Sequence, residues 1–396
     1  MIGSAPLGLE RALSLRGLRW LRVDWHVLGL ALALLGCGLV FVHAMGEAAG
    51  EGSERGAVVF SAHLKKVLVA LPALALGLAV RPRWLRRNAW LVYAASIALL
   101  ALVPILGEER NSAKRWIALP GVGFDLQPSE LAKFGLIVML ARVLYTCRLR
   151  RAGEWVLPAA IALLPMGLVA MQPDLGTAMT IVPVTLGMLY LAGARPRRLV
   201  QLVLAAALLA FGAWRLELIR DYQLQRVETW LASFGTDDLI QGRNGPAFHT
   251  YHARVAIGNG GLFGTGLGRG VANQTGYLPE RESDSIFAVI AEEAGWLGGS
   301  SILFLYALMI VLLMGSASAL RDRFSRLVVG GVALYLASHL VINVSVNLGL
   351  LPMTGLTLPL FSTGGSSLLV TWLALGIALG LAAQREPALD RDAFRA

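Results

Sequence analysis

Long uncharged apolar stretches alternate with short polar or basic segments along the chain, and there is no heptad pattern or internal repeat. Several of these stretches exceed the roughly 18 residues that indicate a membrane span. Ten spans are predicted, starting near Trp25, Lys66, Asn88, Ser129, Trp155, Leu175, Leu199, Asp284, Leu327 and Gly364. The expected fold class is an all-α polytopic membrane protein of ten transmembrane helices. A ten-span membrane domain over 25–384 would lie between a cytoplasmic N-terminal tail over 1–24 and a cytoplasmic C-terminal tail over 385–396. A large extracytoplasmic loop at about 220–283 would separate the seventh and eighth spans.

Composition agrees with this pattern: 56% of residues are hydrophobic and 15% charged, against about a quarter charged in soluble domains. A net charge of +10 would suit a nucleic-acid partner, but the arginines gather in short loops between spans. Arg81, Arg83, Arg86 and Arg87 follow the second span, and Arg148, Arg150 and Arg151 the fourth. Arg195, Arg197 and Arg198 follow the sixth, and Arg321, Arg323 and Arg326 the eighth. Alternate basic loops mark the cytoplasmic side, so both termini are expected there and no nucleic acid is implied. The tail with Arg11, Arg16, Arg19 and Arg22 has no signal-type cleavage site after it. Cys37 and Cys147 lie in or beside spans and suggest neither a disulfide nor a zinc framework.

The outward segments carry the candidate chemistry. In "YLPERESDSIFAVIAEEAGWLGG", Asp284 stands where a charged loop becomes an apolar helix. It suits two roles there: an acid favoured by the helix dipole as a cap, or a partly desolvated general base at the membrane surface. Glu292 and Glu293 sit about two turns deeper, where ionisable groups are costly and face a polar interior, as acceptors for interhelical donors or as a functional site. Lys114, Arg115 and Trp116 read either as an interfacial anchor with snorkelling cations or as a phosphate site beside an aromatic platform. In "QPSELAKFG", Ser129 is expected to cap, Pro128 and Glu130 to open the helix, and Lys133 to pair with Glu130 at i−3. Asp174 reads as another outward cap or as a binding residue, and Ser366 or Ser367 as a cap whose helix start also suits an anion. The glycine-dense "AIGNGGLFGTGLGRG" lacks the strand, helix and lysine context of a nucleotide loop.

These pieces, in this order, resemble the SEDS family (shape, elongation, division and sporulation), whose members include RodA and FtsW. The family patterns are close to R-W, Q-P-S-E-x-x-K, Q-P-D-x-G-T, A-I-G-S-G-G-L-x-G-x-G, L-P-E-x-H-T-D-F-I-F and P-x-x-G-x-x-L-P-x-x-S-Y-G-G-S. Here they read Arg115-Trp116, Gln127 to Lys133, Gln172 to Thr177, Ala256 to Gly266, Leu278 to Phe287 and Pro352 to Ser366. "DYQLQR" and "TGYLPERESD" look closer to the RodA branch than to the FtsW branch. Three places depart from the pattern: H-T-D reads Glu282-Ser283-Asp284, S-Y-G-G reads Ser362-Thr363-Gly364-Gly365, and the Q-S before A-I-G reads His252-Ala253.

The resemblance implies a peptidoglycan glycosyltransferase in the bacterial cytoplasmic membrane. It would polymerise lipid II, an undecaprenyl-pyrophosphate-linked disaccharide-peptide, onto a nascent glycan strand at the outer face during elongation or division, usually with a class B penicillin-binding protein. By motif, Asp284 matches the family's essential aspartate and would be the catalytic base. Lys114, Arg115, Lys133 and Arg254 are the candidate cations for pyrophosphate, with Trp116 and Ser366 also expected to bind substrate. A single carboxylate points to inversion, since retention needs a second one close by. No protein metal site is expected; a divalent cation, Mg or Mn, would help hold pyrophosphate, and no ligand cluster demands one. Two other readings stand beside this: a flippase for the same lipid using Glu292, Glu293 and Lys133, and a non-catalytic scaffold for the penicillin-binding partner.

Overall fold

The apolar stretches fold as helices. In this computed structural model they are α1 (Trp25–Ala48), α2 (Gly52–Ala79), the short α3 (Pro82–Arg87), α4 (Ala89–Leu106), α5 (Pro128–Leu144), α6 (Gly153–Met171) and α7 (Leu175–Leu191). They continue with α8 (Pro196–Arg215), α9 (Asp221–Ala232), α10 (Phe248–Asn259), α11 (Val271–Thr275), α12 (Ile286–Ser318), α13 (Arg323–Asn347) and α14 (Gly365–Ala382). The structure describes residues 23–48, 52–110, 113–118, 125–151, 153–172, 174–216, 221–234 and 247–384. Both tails beyond 23–384, with Arg11, Arg16, Arg19 and Arg22, and part of the 220–283 loop lie outside the described residues.

Among the described residues, seven helical segments are long and apolar enough to cross a membrane: those in α1, α2, α4, α6, α12, α13 and α14. α7 is apolar but shorter, and α5 and α8 occupy the two remaining predicted positions. The second helix corrects its expected start. Its apolar part begins at Val58, so Lys66 lies inside it rather than at its outer end. That is tolerable because the Lys66 ammonium donates to the Thr363 carbonyl at 3.0 Å. A small element not foreseen is an antiparallel hairpin of β1 (Glu108–Arg110) and β2 (Ala113–Trp116), pairing Glu108 with Trp116 and Glu109 with Lys114.

α5, α13 and α14 form the centre and are buried along nearly their whole length. α13 packs on α5, α7, α12 and α14, while α2 runs along α14. Lipid tails are as apolar as leucine, so helices associate in a membrane through close backbone approach and polar contacts rather than hydrophobic driving force. The α2–α14 crossing shows the first device: a Cβ on Gly376 would stand 2.3 Å from the Leu74 carbonyl oxygen, and one on Gly77 would stand 2.6 Å from that of Leu373. The second device is the α5–α13 contact, where Lys133 bonds Glu130 and His339, both at 2.7 Å, and Tyr335 donates to Glu130 at 3.2 Å.

The four predicted basic loops meet at one end of the bundle. Arg323 donates to the carbonyls of Cys147 (2.8 Å) and Ala192 (2.9 Å), and Arg198 to those of Leu149 (2.6 Å) and Arg150 (3.0 Å). Arg86 stands 3.6 Å from Asp322 and lies over the Tyr145 ring. Alternating connections then bring the hairpin, the 125–127 segment and the Asp284 and Pro352–Gly364 loops together at the other end.

Candidate active site

The Asp284 loop is fixed by its backbone. Glu280 adopts a left-handed conformation (φ 47°), and its carbonyl accepts the Ser283 and Ser285 amides at 3.0 and 3.1 Å. Three successive carbonyls are then tied from outside. That of Glu282 accepts both the amide and the hydroxyl of Thr363 (3.0 Å each), and that of Ser283 accepts the Ser362 hydroxyl (2.6 Å). The Asp284 carbonyl accepts the side-chain amides of Asn343 (2.9 Å) and Asn347 (3.0 Å) from α13. Thus Glu282 and Thr363, two positions that depart from the family pattern, face each other.

Asp284 does not cap α12. The helix begins at Ile286 with Ser285 at the cap and no side-chain capping bond. The capping role is set aside, because the turn at Glu280 puts Asp284 one residue too early. Its half-buried carboxyl lies among interior atoms, and this burial pushes its pKa up to about 7. The negative charges of Glu280 and Asp174 act in the same direction, while a hydrogen bond from Ser283 and the charge of Arg115 oppose them. Gly355 adjoins the carboxyl: a Cβ there would sit 3.4 Å from Oδ2, and its φ of 72° also disfavours a side chain.

Around this centre the other candidates divide. Asp174 caps α7 through the Thr177 amide (3.2 Å) and also accepts the Thr177 hydroxyl (2.9 Å), Gln127 (3.3 Å) and Ser129 (3.4 Å). Arg115 projects from the hairpin and donates to the Gln172 carbonyl at 3.2 Å, with Trp116 half-buried beside it and Lys114 exposed. These residues share the Asp284 end of the molecule.

Lys133, Arg254 and Ser366, expected to bind substrate, are engaged in this structure by groups of the protein itself. Lys133 is 2% exposed, enclosed by Glu130 and His339 in the helix core. Its predicted pairing with Glu130 holds, but the pair faces α13 rather than the outer surface. Arg254 donates to the carbonyls of Leu348 (3.1 Å), Ser233 (3.0 Å) and Gly349 (3.0 Å), so its guanidinium closes the end of α13 against α9 and α10. Ser366 donates to Asp125 O (2.6 Å) and accepts the Gln127 amide (2.9 Å); Gly364 is the cap of α14, without a side-chain bond. Ser129 likewise does not cap, since Gln127 holds that position and the Ser129 hydroxyl points to Asp174.

Glu292 and Glu293 take the polar-core role. Glu292 accepts the Val271 and Ala272 amides (3.1 and 3.0 Å) and Asn259 (3.4 Å), and Glu293 accepts the Asn273 amide group. The glycine-dense loop wraps the top of α12, where Gly295 breaks the helix at φ 67°. The Trp296 and Leu297 amides released there donate to Gly261 and Leu262, as backbone at membrane depth requires. His252 packs between Phe248, edge-on at 4.2 Å, and Tyr277, tilted at 4.7 Å. Among the described residues, no group of three or more His, Cys, Asp or Glu stands ready to hold a metal ion.

Sequence reasoning missed Lys66, Asn343 and Asn347. Lys66 faces the charges of Glu282 and Asp125 besides bonding Thr363. The available signal was a lysine inside an apolar helix and a polar residue at every fourth position of α13.

The model of the FtsW/RodA/SpoVE cell cycle protein family matches residues 25–386. The chain belongs to this family. Among its relatives, the probable peptidoglycan glycosyltransferase FtsW of Halomonas elongata is 34% identical over 332 residues, covering 82% of this chain and 81% of that protein. The protein of the same description from Alkalilimnicola ehrlichii is 36% identical over 376 residues, covering 92% and 90%. A chain from a peptidoglycan synthase complex, described for its coordination of polymerization and crosslinking, superposes with a TM-score of 0.77 at 32% identity, covering 92% of this chain and 99% of that one. The rod shape determining protein RodA of Thermus thermophilus superposes with a TM-score of 0.67 at 30% identity, covering 92% and 98%. FtsW and RodA relatives thus both match, and the likenesses do not separate the two branches.

Proposed function

We propose that this chain is a peptidoglycan glycosyltransferase that polymerises lipid II at the outer face of the bacterial cytoplasmic membrane, with Asp284 as its general base. The observation that carries the reading is a carboxyl with a proton affinity near neutrality, in a loop immobilised through three consecutive carbonyls at a helix start. A base is most effective when its pKa lies near the working pH. Asp284 takes the proton of the acceptor sugar hydroxyl as that oxygen bonds to the anomeric carbon of the donor. The bond from that carbon to the pyrophosphate breaks, and the polyprenyl pyrophosphate leaves with inversion at carbon. The leaving group needs charge neutralisation more than an acid. Arg115, with Lys114 and Lys66, supplies cations for it at the Asp284 end; Lys66 replaces Lys133 and Arg254 in this role. Any divalent cation would enter on the donor pyrophosphate.

We also read α1, α2, α4, α5, α6, α7, α8, α12, α13 and α14 as ten spans forming one membrane domain over 25–384. Both termini and the basic loops would be cytoplasmic, with the 220–283 loop outside. Supporting this, four basic loops converge at one end of the bundle and Asp284 lies at the other. Likeness to a chain of a peptidoglycan synthase complex supports a class B penicillin-binding partner.

The test is strand formation by purified protein on supplied lipid II in detergent, alone and with a candidate partner. Polymer from the wild type and none from Asp284→Asn is expected. Absence of polymer under every condition, with substrate still bound, would favour the scaffold; translocation of lipid II by reconstituted protein without polymer would favour the flippase. Cysteine labelling places the site: positions 86 and 197 should react from the cytoplasm and 252 from outside.

A further inference from the structure

The face of α13 toward the centre of the bundle carries a polar residue at every fourth position: Tyr335, His339, Asn343 and Asn347. That spacing lines up side chains on one helix face. The lower two join the Lys133–Glu130 pair. The upper two, 1% and 2% exposed, turn their amides to the outer loops. Asn343 divides its two N–H groups between Asp284 O (2.9 Å) and Leu356 O (2.6 Å), and Asn347 adds a second donor to Asp284 O at 3.0 Å and bonds Asn343 O at 2.9 Å.

We propose that Asn343 and Asn347 are positioning residues for the transfer: by occupying both acceptor sites of the Asp284 carbonyl they set the direction and depth of its carboxyl. The inference rests on Asp284 as the base. A buried carbonyl needs one partner to avoid a desolvation cost, and its two lone pairs accept two. The second donor restricts rotation of the 284–285 peptide plane, and with it the placement of the Cα from which the carboxyl projects. Asn343 also joins the two loops that meet at the site, because Leu356 follows Gly355, whose bare Cα borders Asp284 Oδ2. An error of about 1 Å in a reacting group costs on the order of 10² in rate.

The charged groups facing Asp284 are Glu280 of its own loop, Asp174 at the start of α7 and Arg115 of the hairpin. Asn343 and Asn347 are neutral, so replacing them leaves that charge set unaltered. A shift in the pH profile of such a variant therefore reports the placement and hydration of the carboxyl.

The experiment compares purified wild type, Asn343→Ala, Asn347→Ala and Asn343→Gln for lipid II polymerisation across pH. The alanine variants should lose about tenfold or more in kcat with KM changed less than about threefold. The acidic limb of their kcat profiles should move to lower pH, as water reaches the loosened carboxyl. Asn343→Gln keeps an amide and should recover part of the rate. Should Asn343→Ala fail to insert, Asn347→Ala, which leaves the Leu356 bond in place, carries the test alone. A folded alanine variant with wild-type kcat and an unmoved acidic limb, even with a lower melting temperature, would overturn the proposal. Asp284→Asn run in parallel keeps the two ideas apart: activity there removes the base itself, whereas its inactivity confines any failure to the positioning role.

Discussion

Helices α13 and α8 are both long and contain a similar kind of apolar residue, yet their surroundings are opposite. α13 is buried along nearly its whole length and holds Tyr335, His339, Asn343 and Asn347 in its central face. α8 packs mainly on α7, and its Val200, Leu204, Leu208, Leu209, Phe211 and Trp214 are exposed. The comparison inverts the soluble-protein rule. In a bilayer the outside is apolar, so leucine gains little by turning inward, while a polar group is stable only where the protein supplies its partners. Polarity inside an apolar helix therefore marks the centre of this protein, and uniform hydrophobicity marks its edge.

The strongest way to test that contrast is at the polar centre's outer end. Asp284→Asn should insert normally and lose roughly 10²–10⁴ in polymerisation rate, the contribution typical of a positioned base. In the wild type the base form must be present, so kcat should rise with pH through about 7. The stability effect has the opposite sense. Burial raises the carboxyl from 3.8 to about 7, so the native state holds its proton more tightly than the unfolded chain. Its ionisation costs nothing below the unfolded value, and stability is lost as pH rises between the two values. Asp284→Asn should thus melt higher than wild type at pH 8 and show little difference at pH 4. A melting curve unchanged at pH 8 would remove the desolvation argument even if activity were lost.

The next effect belongs to the Lys133–Glu130–His339 contact. Lys133→Met leaves the Glu130 carboxylate buried with Tyr335 as its donor among the described residues, and breaking one side of a buried pair costs about 3–5 kcal/mol. Thermal unfolding in detergent should show a large loss, and Lys133→Met/Glu130→Gln should regain part of it. Equal melting of the single and double variants would mean that the pair is not coupled.

A smaller loss is expected where the outer helices are fastened. Arg254→Ala removes three charge-assisted bonds to carbonyls at the ends of α9 and α13, each such bond being worth about 1.5–3 kcal/mol when intact. Part of that is recovered by water, so proteolysis should speed up in α9 and α10 while α13 and α14 stay protected. Arg254→Lys should resemble the alanine variant, because one ammonium cannot serve the three carbonyls in the geometry of a planar fork.

These positions also show what the sequence made legible. Hydropathy located the seven helices that are long and apolar enough to cross a membrane among the described residues, and the family motifs pointed to Asp284, because both signals are local. The correct partner of Lys133 was visible for the same reason, at i−3 on one helix. The internal partners of Arg254 and Ser366 are not legible in the sequence, because a cation or hydroxyl in an outer segment looks available until its carbonyls are known, and these include Leu348 and Asp125, 94 and 241 residues away in the chain. Asn343 and Asn347 were overlooked for a related reason. Their four-residue spacing is visible in the sequence, but their targets are backbone atoms, which carry no sequence signature.

The smallest effect is expected on α8, and it probes the other half of the comparison. Leu208 is 71% exposed, whereas Leu336 on α13 is fully buried in the core. Leu336→Ala opens a cavity that rigid neighbours fill only in part, at a cost of about 2–5 kcal/mol. Leu208→Ala exchanges one apolar surface for another against lipid, leaves no cavity and should change stability by less than about 0.5 kcal/mol, with polymerisation unaltered. Paired melting curves of the two variants in detergent and in lipid nanodiscs measure the difference directly. If Leu208→Ala were as damaging as Leu336→Ala, the exposed face of α8 would have to be covered in the working protein by another chain, because lipid alone cannot distinguish leucine from alanine by that margin.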